Sequence, residues 1–141
     1  MAGPPNTVSM LGDVPLFSDL NEKERKSVVS MGKELSYKAG DVIVGEGAMG
    51  VGFYLILEGK VEVRKGSRAL ASLERGQFFG EMSLIDEQPR SADVIAVSTT
   101  KCWVLSSWAF NGFVKGNPEV ALVMLKEMVK RLRAAQSSPI S

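Results

Sequence analysis

The chain contains no histidine. That absence removes serine–histidine triads, cysteine–histidine dyads and most zinc or iron centres, all of which rest on imidazole. A metal held by carboxylates alone is left open, yet no Asp/Glu spacing suggests one, so no metal, no cofactor and no catalytic group is expected. Cysteine is nearly as scarce. Cys102 stands alone, which rules out an internal disulfide and leans towards a reducing cytoplasm, giving a cytoplasmic expectation. No apolar run approaches the roughly 18 residues that span a bilayer. The opening MAGPPNTVSM has neither a basic start nor an apolar core, so it is expected to be neither signal peptide nor anchor. An excess of one charge is also missing. Lys plus Arg is 17 and Asp plus Glu is 16, a net +1, which gives no reason to expect direct nucleic-acid binding.

What is present suits one folded domain: 141 residues, 45% hydrophobic and 23% charged. Residues 1–10, rich in Pro, Gly and Ser/Thr, read as a flexible leader, 11–135 as the domain and 136–141 as a disordered tail. DVPLFSDLNEKERKSVVSMG predicts a short helix, with Asn21 as its cap and Glu24 three residues on, a capping-box spacing. Between Glu34 and Ser106 short β-type runs alternate with glycine: VIV at 42–44, GFYLIL at 52–57, KVEVR at 60–64, ALASL at 69–73, DVIAV at 93–97 and CWVL at 102–105. Strict alternation puts Val61 and Val63 on one face of KVEVR. Many short strands with frequent turns predict a sandwich or barrel. After them, Ser106 or Ser107 caps WAFNGFVKG, and Asn117–Pro118 starts a last helix. Leu122, Leu125, Val129 and Leu132 fall at helical spacing there, with Met128 widening the stripe. That stripe is open to two readings, a dimer seam or packing against its own barrel. The basic group Lys130, Arg131 and Arg133 reads as a complement to the helix dipole. Trp103 and Trp108 read as core or barrel–helix packing, and Cys102 as a buried small hydrophobe.

One segment breaks the strand pattern. In FFGEMSLIDEQPRSA, Glu81 and Arg90 stand nine positions apart around a string able to form only a turn or two of helix. With Met82 beginning that helix, the amides of Met82 and Ser83 could face an anion. Arg90 would add fixed positive charge and paired donors. Glu81 would repel phosphate but accept hydrogen bonds from sugar hydroxyls. Gly80 would permit close backbone approach, and Pro89 would stiffen the return. The residues alone leave two readings: a phosphate-and-sugar site, or an ordinary ion pair over a core turn.

FGEMSLIDEQPRSA resembles the phosphate-binding cassette of the cyclic nucleotide-binding domain family. VPLFSDL resembles that family's first helix, GDVIVGEGAMGVGFYLILEGKVEV its strand–turn–strand block, and NPEVALVMLKEMVKRLR the helix after the barrel, so the likeness runs from Val14 to Arg133. The resemblance implies an α+β, mainly β fold: a double-stranded β-helix (jelly-roll) barrel flanked by N- and C-terminal helices. It implies that Glu81 accepts the ribose 2′-hydroxyl and Arg90 pairs with the cyclic phosphate. Gly80, Met82, Ser83 and Ser91 would line sugar and phosphate, while Val63, Leu70 and Leu73 lie beside the base or serve as plain core. Ser91 permits either base, and cAMP is favoured over cGMP. At the end of the last helix Ala135 has nothing polar to offer a base, whereas Gln136 could hydrogen-bond one. The expected function is a non-catalytic sensor whose 118–134 helix moves and meets an effector or a second copy. The alternatives are an interaction module of the same fold without nucleotide, or a phosphosugar enzyme. The lack of histidine and of a nucleophile beside a base argues against the enzyme.

Overall fold

A computed structural model describes residues 6–49 and 52–136. Three helical pieces precede the strands. Helix α1 (Thr7–Leu11) starts under the side chain of Asn6, which accepts from the Ser9 amide. Residues 7–10, expected within a flexible leader, are therefore helical; the first five lie outside the described residues. A 3₁₀ turn follows at Pro15–Phe17, set by proline at its first position. Helix α2 (Glu22–Met31) is narrower than the single helix read across this stretch. Its capping box forms as predicted, with Asn21 and Glu24 exchanging side-chain and backbone bonds at 2.8 and 2.9 Å.

The strands are β1 (Lys33–Tyr37), β2 (Val42–Val44), β3 (Gly52–Glu58), β4 (Lys60–Lys65), β5 (Arg68–Glu74), β6 (Phe78–Phe79), β7 (Asp93–Ala96) and β8 (Thr100–Ser106), with the short helix α3 (Ser83–Asp86) between β6 and β7. They form two four-stranded sheets, ordered β1-β8-β3-β6 and β2-β7-β4-β5, and every pairing is antiparallel. The family's jelly-roll arrangement is present, but no ladder among the described residues joins the sheets. The expected barrel is thus an open two-sheet sandwich. Helices α4 (Ser107–Gly116) and α5 (Pro118–Ala135) complete the chain.

Strand β3 explains how the layers hold together. Its apolar run lacks a polar face because both sides are covered. Phe53, Leu55 and Leu57 point to a core shared with the helices, among Leu11, Phe17, Val28, Leu84, Phe110 and Val120. Tyr54 and Ile56 point the other way, to a smaller core between the sheets with Val61, Val94 and Cys102. Strand β8 repeats the division: Trp103 and Leu105 face the helices, Cys102 and Val104 the inter-sheet side. Phe17 anchors the helical layer, edge-on to both Phe53 (5.6 Å) and Phe110 (6.4 Å). Trp103 donates its indole N–H to the Val29 carbonyl at 3.2 Å, and Gly32 lies so close to this ring that a Cβ there would overlap it.

Two helix-level expectations change. Trp103 is buried as expected, but Trp108, also read as core or barrel–helix packing, is 85% exposed on α4. On α5 the buried residues are Val120, Met124 and Glu127, whereas Leu122, Leu125, Val129 and Leu132 are each about half exposed. Those four form the outer face, while Met128 at the stripe's edge packs on the helical core. Ser106 caps α4 through the Ala109 amide. Pro118 opens α5, but Asn117 does not cap it; its side-chain amide donates back to the Phe113 carbonyl at 2.9 Å and closes the end of α4 instead.

Candidate functional site

Strand β6 ends at Phe79, and the chain turns on Gly80 into α3. Gly80 has φ +85°, a region that L side chains avoid. A Cβ there would stand 2.5 Å from the Gly52 carbonyl oxygen and 2.6 Å from Arg90 Nη1. Only glycine lets the backbone pass that close to the arginine. Met82 is the N-cap of α3 rather than its first residue. The first amide of this turn to find a backbone acceptor is that of Leu84, on the Glu81 carbonyl.

Arg90 comes from the return loop, and its backbone is clamped. Its N–H donates to the Ala48 carbonyl and its own carbonyl accepts from Gly47, both at 2.8 Å. The guanidinium then folds towards β3. It donates to the Gly52 carbonyl, approaches Ser83 Oγ at 3.4 Å, and lies 5.9 Å from the centroid of the Tyr54 ring. Its Nε–H has no acceptor among the described residues. Burial lowers its pKa, while the neighbouring Tyr54 acts in the opposite direction.

Six of the expected residues meet in one place. Gly80, Glu81, Met82, Ser83, Arg90 and Ser91 line a cleft of about 330 Å³ with Phe78, Phe79 and Pro89, at the lower end of typical ligand sites. Val63, Leu70 and Leu73 do not line it. Val63 and Leu73 pack on the inter-sheet core. Leu70 is half exposed where a bulge lets Val63 pair with Ala71 and Arg64 with Ala69. A larger groove of about 700 Å³ runs along α4 past Met31, Trp108 and Phe113, but Lys115 is the only charged residue in its lining. No cluster of metal-ligating side chains occurs among the described residues.

The Glu81 carboxylate has protein partners of its own. It is 6% exposed. Its Oε2 accepts the Leu16 amide at 2.9 Å, and its Oε1 pairs with Arg131 Nη2 at 2.9 Å. The carboxylate therefore ties α3 to the 3₁₀ turn and to α5. Lys130 adds a second tie nearby, to Glu127 at 3.0 Å and Asp19 at 3.9 Å, and its pKa is raised, first by the Glu127 hydrogen bond and then by Asp19. Reading the basic group on α5 as a dipole complement missed Arg131. The signal that finds it is the inner stripe: Val120, Met124, Glu127 and Arg131 recur at helical spacing on the face turned inward.

The comparisons with known proteins bear on the family. The family model for the cyclic nucleotide-binding domain matches residues 34–117. A cGMP-dependent protein kinase from Plasmodium berghei (strain Anka) is 32% identical over 126 residues, covering 89% of this chain but 14% of that protein. A cAMP-dependent protein kinase regulatory subunit from Hypocrea atroviridis is 37% identical over 102 residues, covering 72% and 22%. The chain thus spans less than a quarter of the length of either relative. Among solved structures, the N-terminal domain of a transcriptional regulator from Streptomyces coelicolor A3(2) superposes with a TM-score of 0.84 at 29% identity, covering 92% of this chain and 98% of that one. The Thermus thermophilus catabolite activator protein gives 0.69 at 35% identity, covering 86% and 59%. With the cassette assembled around one cleft and the family model spanning most of the strands, the chain belongs to the cyclic nucleotide-binding domain family.

Proposed function

We propose that this chain is a regulatory, non-catalytic module that binds a cyclic nucleotide, cAMP in preference to cGMP, and passes the event to α5. The observation that carries this reading is the cleft itself. A fixed cation, Arg90, with one unpaired N–H donor, faces the start of α3 across a glycine that both a positive φ and the close approach of Arg90 require. A cyclic phosphate is the anion this arrangement suits, and a sugar attached to it would reach the Glu81 side of the cleft. The preference for cAMP draws on relatives named as cAMP-dependent kinase regulatory subunits; Ser91 accommodates either base.

The route to α5 runs through Glu81. A carboxylate already shared by the Leu16 amide and Arg131 must admit a ribose hydroxyl or shift as α3 closes on the phosphate. Either change alters what holds α5 in place, so differential affinity for the two arrangements shifts their populations. The outer leucines of α5 recur at intervals of three and four, the spacing of a coiled-coil seam. The reading assigns that face to a second copy or to an effector protein. The fully buried lone thiol, Cys102, suits the reducing cytoplasm in which we place the module.

A second reading keeps the fold and dispenses with nucleotide. In its favour, Glu81 is buried and engaged with protein partners on both oxygens. Calorimetric titration with cAMP and cGMP, beside an Arg90→Ala control, separates the two. The first reading expects heat from cAMP and a tenfold to hundredfold weaker control, since a charge-assisted contact contributes about 1.5–3 kcal/mol. No heat from either nucleotide at high concentration would leave the second reading standing. Equal binding by the control would remove the phosphate role from Arg90.

A further inference from the structure

The arginine of the cleft rests on an aromatic pair that lies outside the cassette's charged and glycine positions. Tyr54 of β3 stacks on Phe79 of β6, with ring centroids 4.7 Å apart and planes 6° from parallel. The backbone fixes this stack, because the two residues are register partners in the β3–β6 ladder. Arg90 Cζ stands 5.9 Å from the Tyr54 centroid, within the roughly 6 Å reach of a cation–π contact. The same guanidinium donates to Gly52, two residues earlier on β3. The remaining side-chain contact, Ser83 Oγ at 3.4 Å, is too long to orient it. A ring face fixes the plane of a guanidinium without consuming its donors, which an anion needs.

We propose that Tyr54 is a positioning residue for Arg90: its ring, held flat by the stack on Phe79, presets the guanidinium plane at the cleft so that the donors meet a cyclic phosphate already ordered. This rests on the reading of Arg90 as the phosphate group. The phenol itself is not required, because the contact is made by the ring face.

Calorimetric titration with cAMP of the full chain and four variants tests it: Tyr54→Phe, Tyr54→Leu, Arg90→Gln, and Tyr54→Leu combined with Arg90→Gln. Tyr54→Phe is expected to match the parent. Tyr54→Leu is expected to bind about three- to tenfold more weakly. In the Arg90→Gln background the same change is expected to cost nothing further, since the ring acts through the cation. Equal losses in both backgrounds, or a Phe variant as weak as the Leu variant, would overturn the proposal.

A second measurement needs no nucleotide. The chain has two tyrosines, so Tyr37→Phe leaves Tyr54 as the sole phenol. Burial raises its pKa, Arg90 opposes that rise, and Cys102 adds to it. Arg90→Gln should therefore move the tyrosinate absorbance titration upward in pH, and an unmoved titration overturns the contact. A shifted titration with no heat from cAMP in the parent chain overturns the ligand role and traces the failure to the cleft's assignment, not to the ring–guanidinium pair.

Discussion

Gly80 shows how one atom decides the site. Its positive φ and the 2.5 Å approach of a hypothetical Cβ to the Gly52 carbonyl act together. Gly80→Ala should lower unfolding free energy by about 1–3 kcal/mol in urea denaturation and also weaken cAMP binding, because Arg90 has to move aside. Gly66→Ala is the matching control. It carries the backbone strain (φ +61°) with nothing within 4 Å, so stability should fall while affinity holds. At this scale residue types and spacing left a phosphate site and an ion pair both open, and the family resemblance pointed to the cassette: Gly80, Met82, Ser83, Arg90 and Ser91 line one cleft. The direction of the Glu81 side chain was not readable. Its partners come from Leu16 and from Arg131, 65 residues before it and 50 after it, and no local pattern reveals contacts made at such separations.

Among the elements, those with strong local chemistry were legible and those formed by their neighbours were not. The Asn21–Glu24 box is local, and it formed. Asn21→Ala should cost about 1 kcal/mol in a thermal or urea melt, with no change in nucleotide affinity. Strand β1, Lys33–Tyr37, has mostly exposed residues and only a brief alternation at Leu35 and Tyr37; it is a strand because it pairs with β8. Strand β6 is two residues long and exists through its ladder with β3. Helix α5 was legible, but its regularly spaced apolar residues left seam and inward packing equally open, and the mixed stripe of Val120, Met124 and Glu127 that is buried carries no comparable local pattern. The exposed stripe invites a direct test. If a second copy covers it, Leu125→Glu with Leu132→Glu should convert a sedimenting dimer to a monomer without lowering the melting temperature of the monomer unit. A parent chain that sediments as a monomer at all concentrations would assign the face to an effector.

For the whole molecule, two cores separated by one sheet set the response to pH. Burial pushes the Cys102 thiol from its ordinary 9.0 up to about 11 and the Tyr37 phenol from 10.0 up to about 12. Both shifts favour the neutral form in the folded state. Unfolded chains ionise these groups earlier, so the stability they confer is complete below pH 9 and is lost as pH climbs towards 11 and 12. Urea denaturation across that window should show a decline on the order of 2 kcal/mol from the thiol alone, and Cys102→Ala should flatten the 9-to-11 portion. A sandwich or barrel was readable from many short strands and turns. Its openness was not, because closure depends on ladders between strands far apart in the chain.

The bond between Glu81 and Arg131 also has a bearing on where the chain can be shortened. Cutting it before Arg131 removes only the last turn or so of α5, which looks dispensable on a map of strands. Yet the cut strands a buried anion with no cation opposite it, a defect far dearer than the few contacts deleted. The smallest stable unit is therefore set by one buried charge, and it includes residue 131.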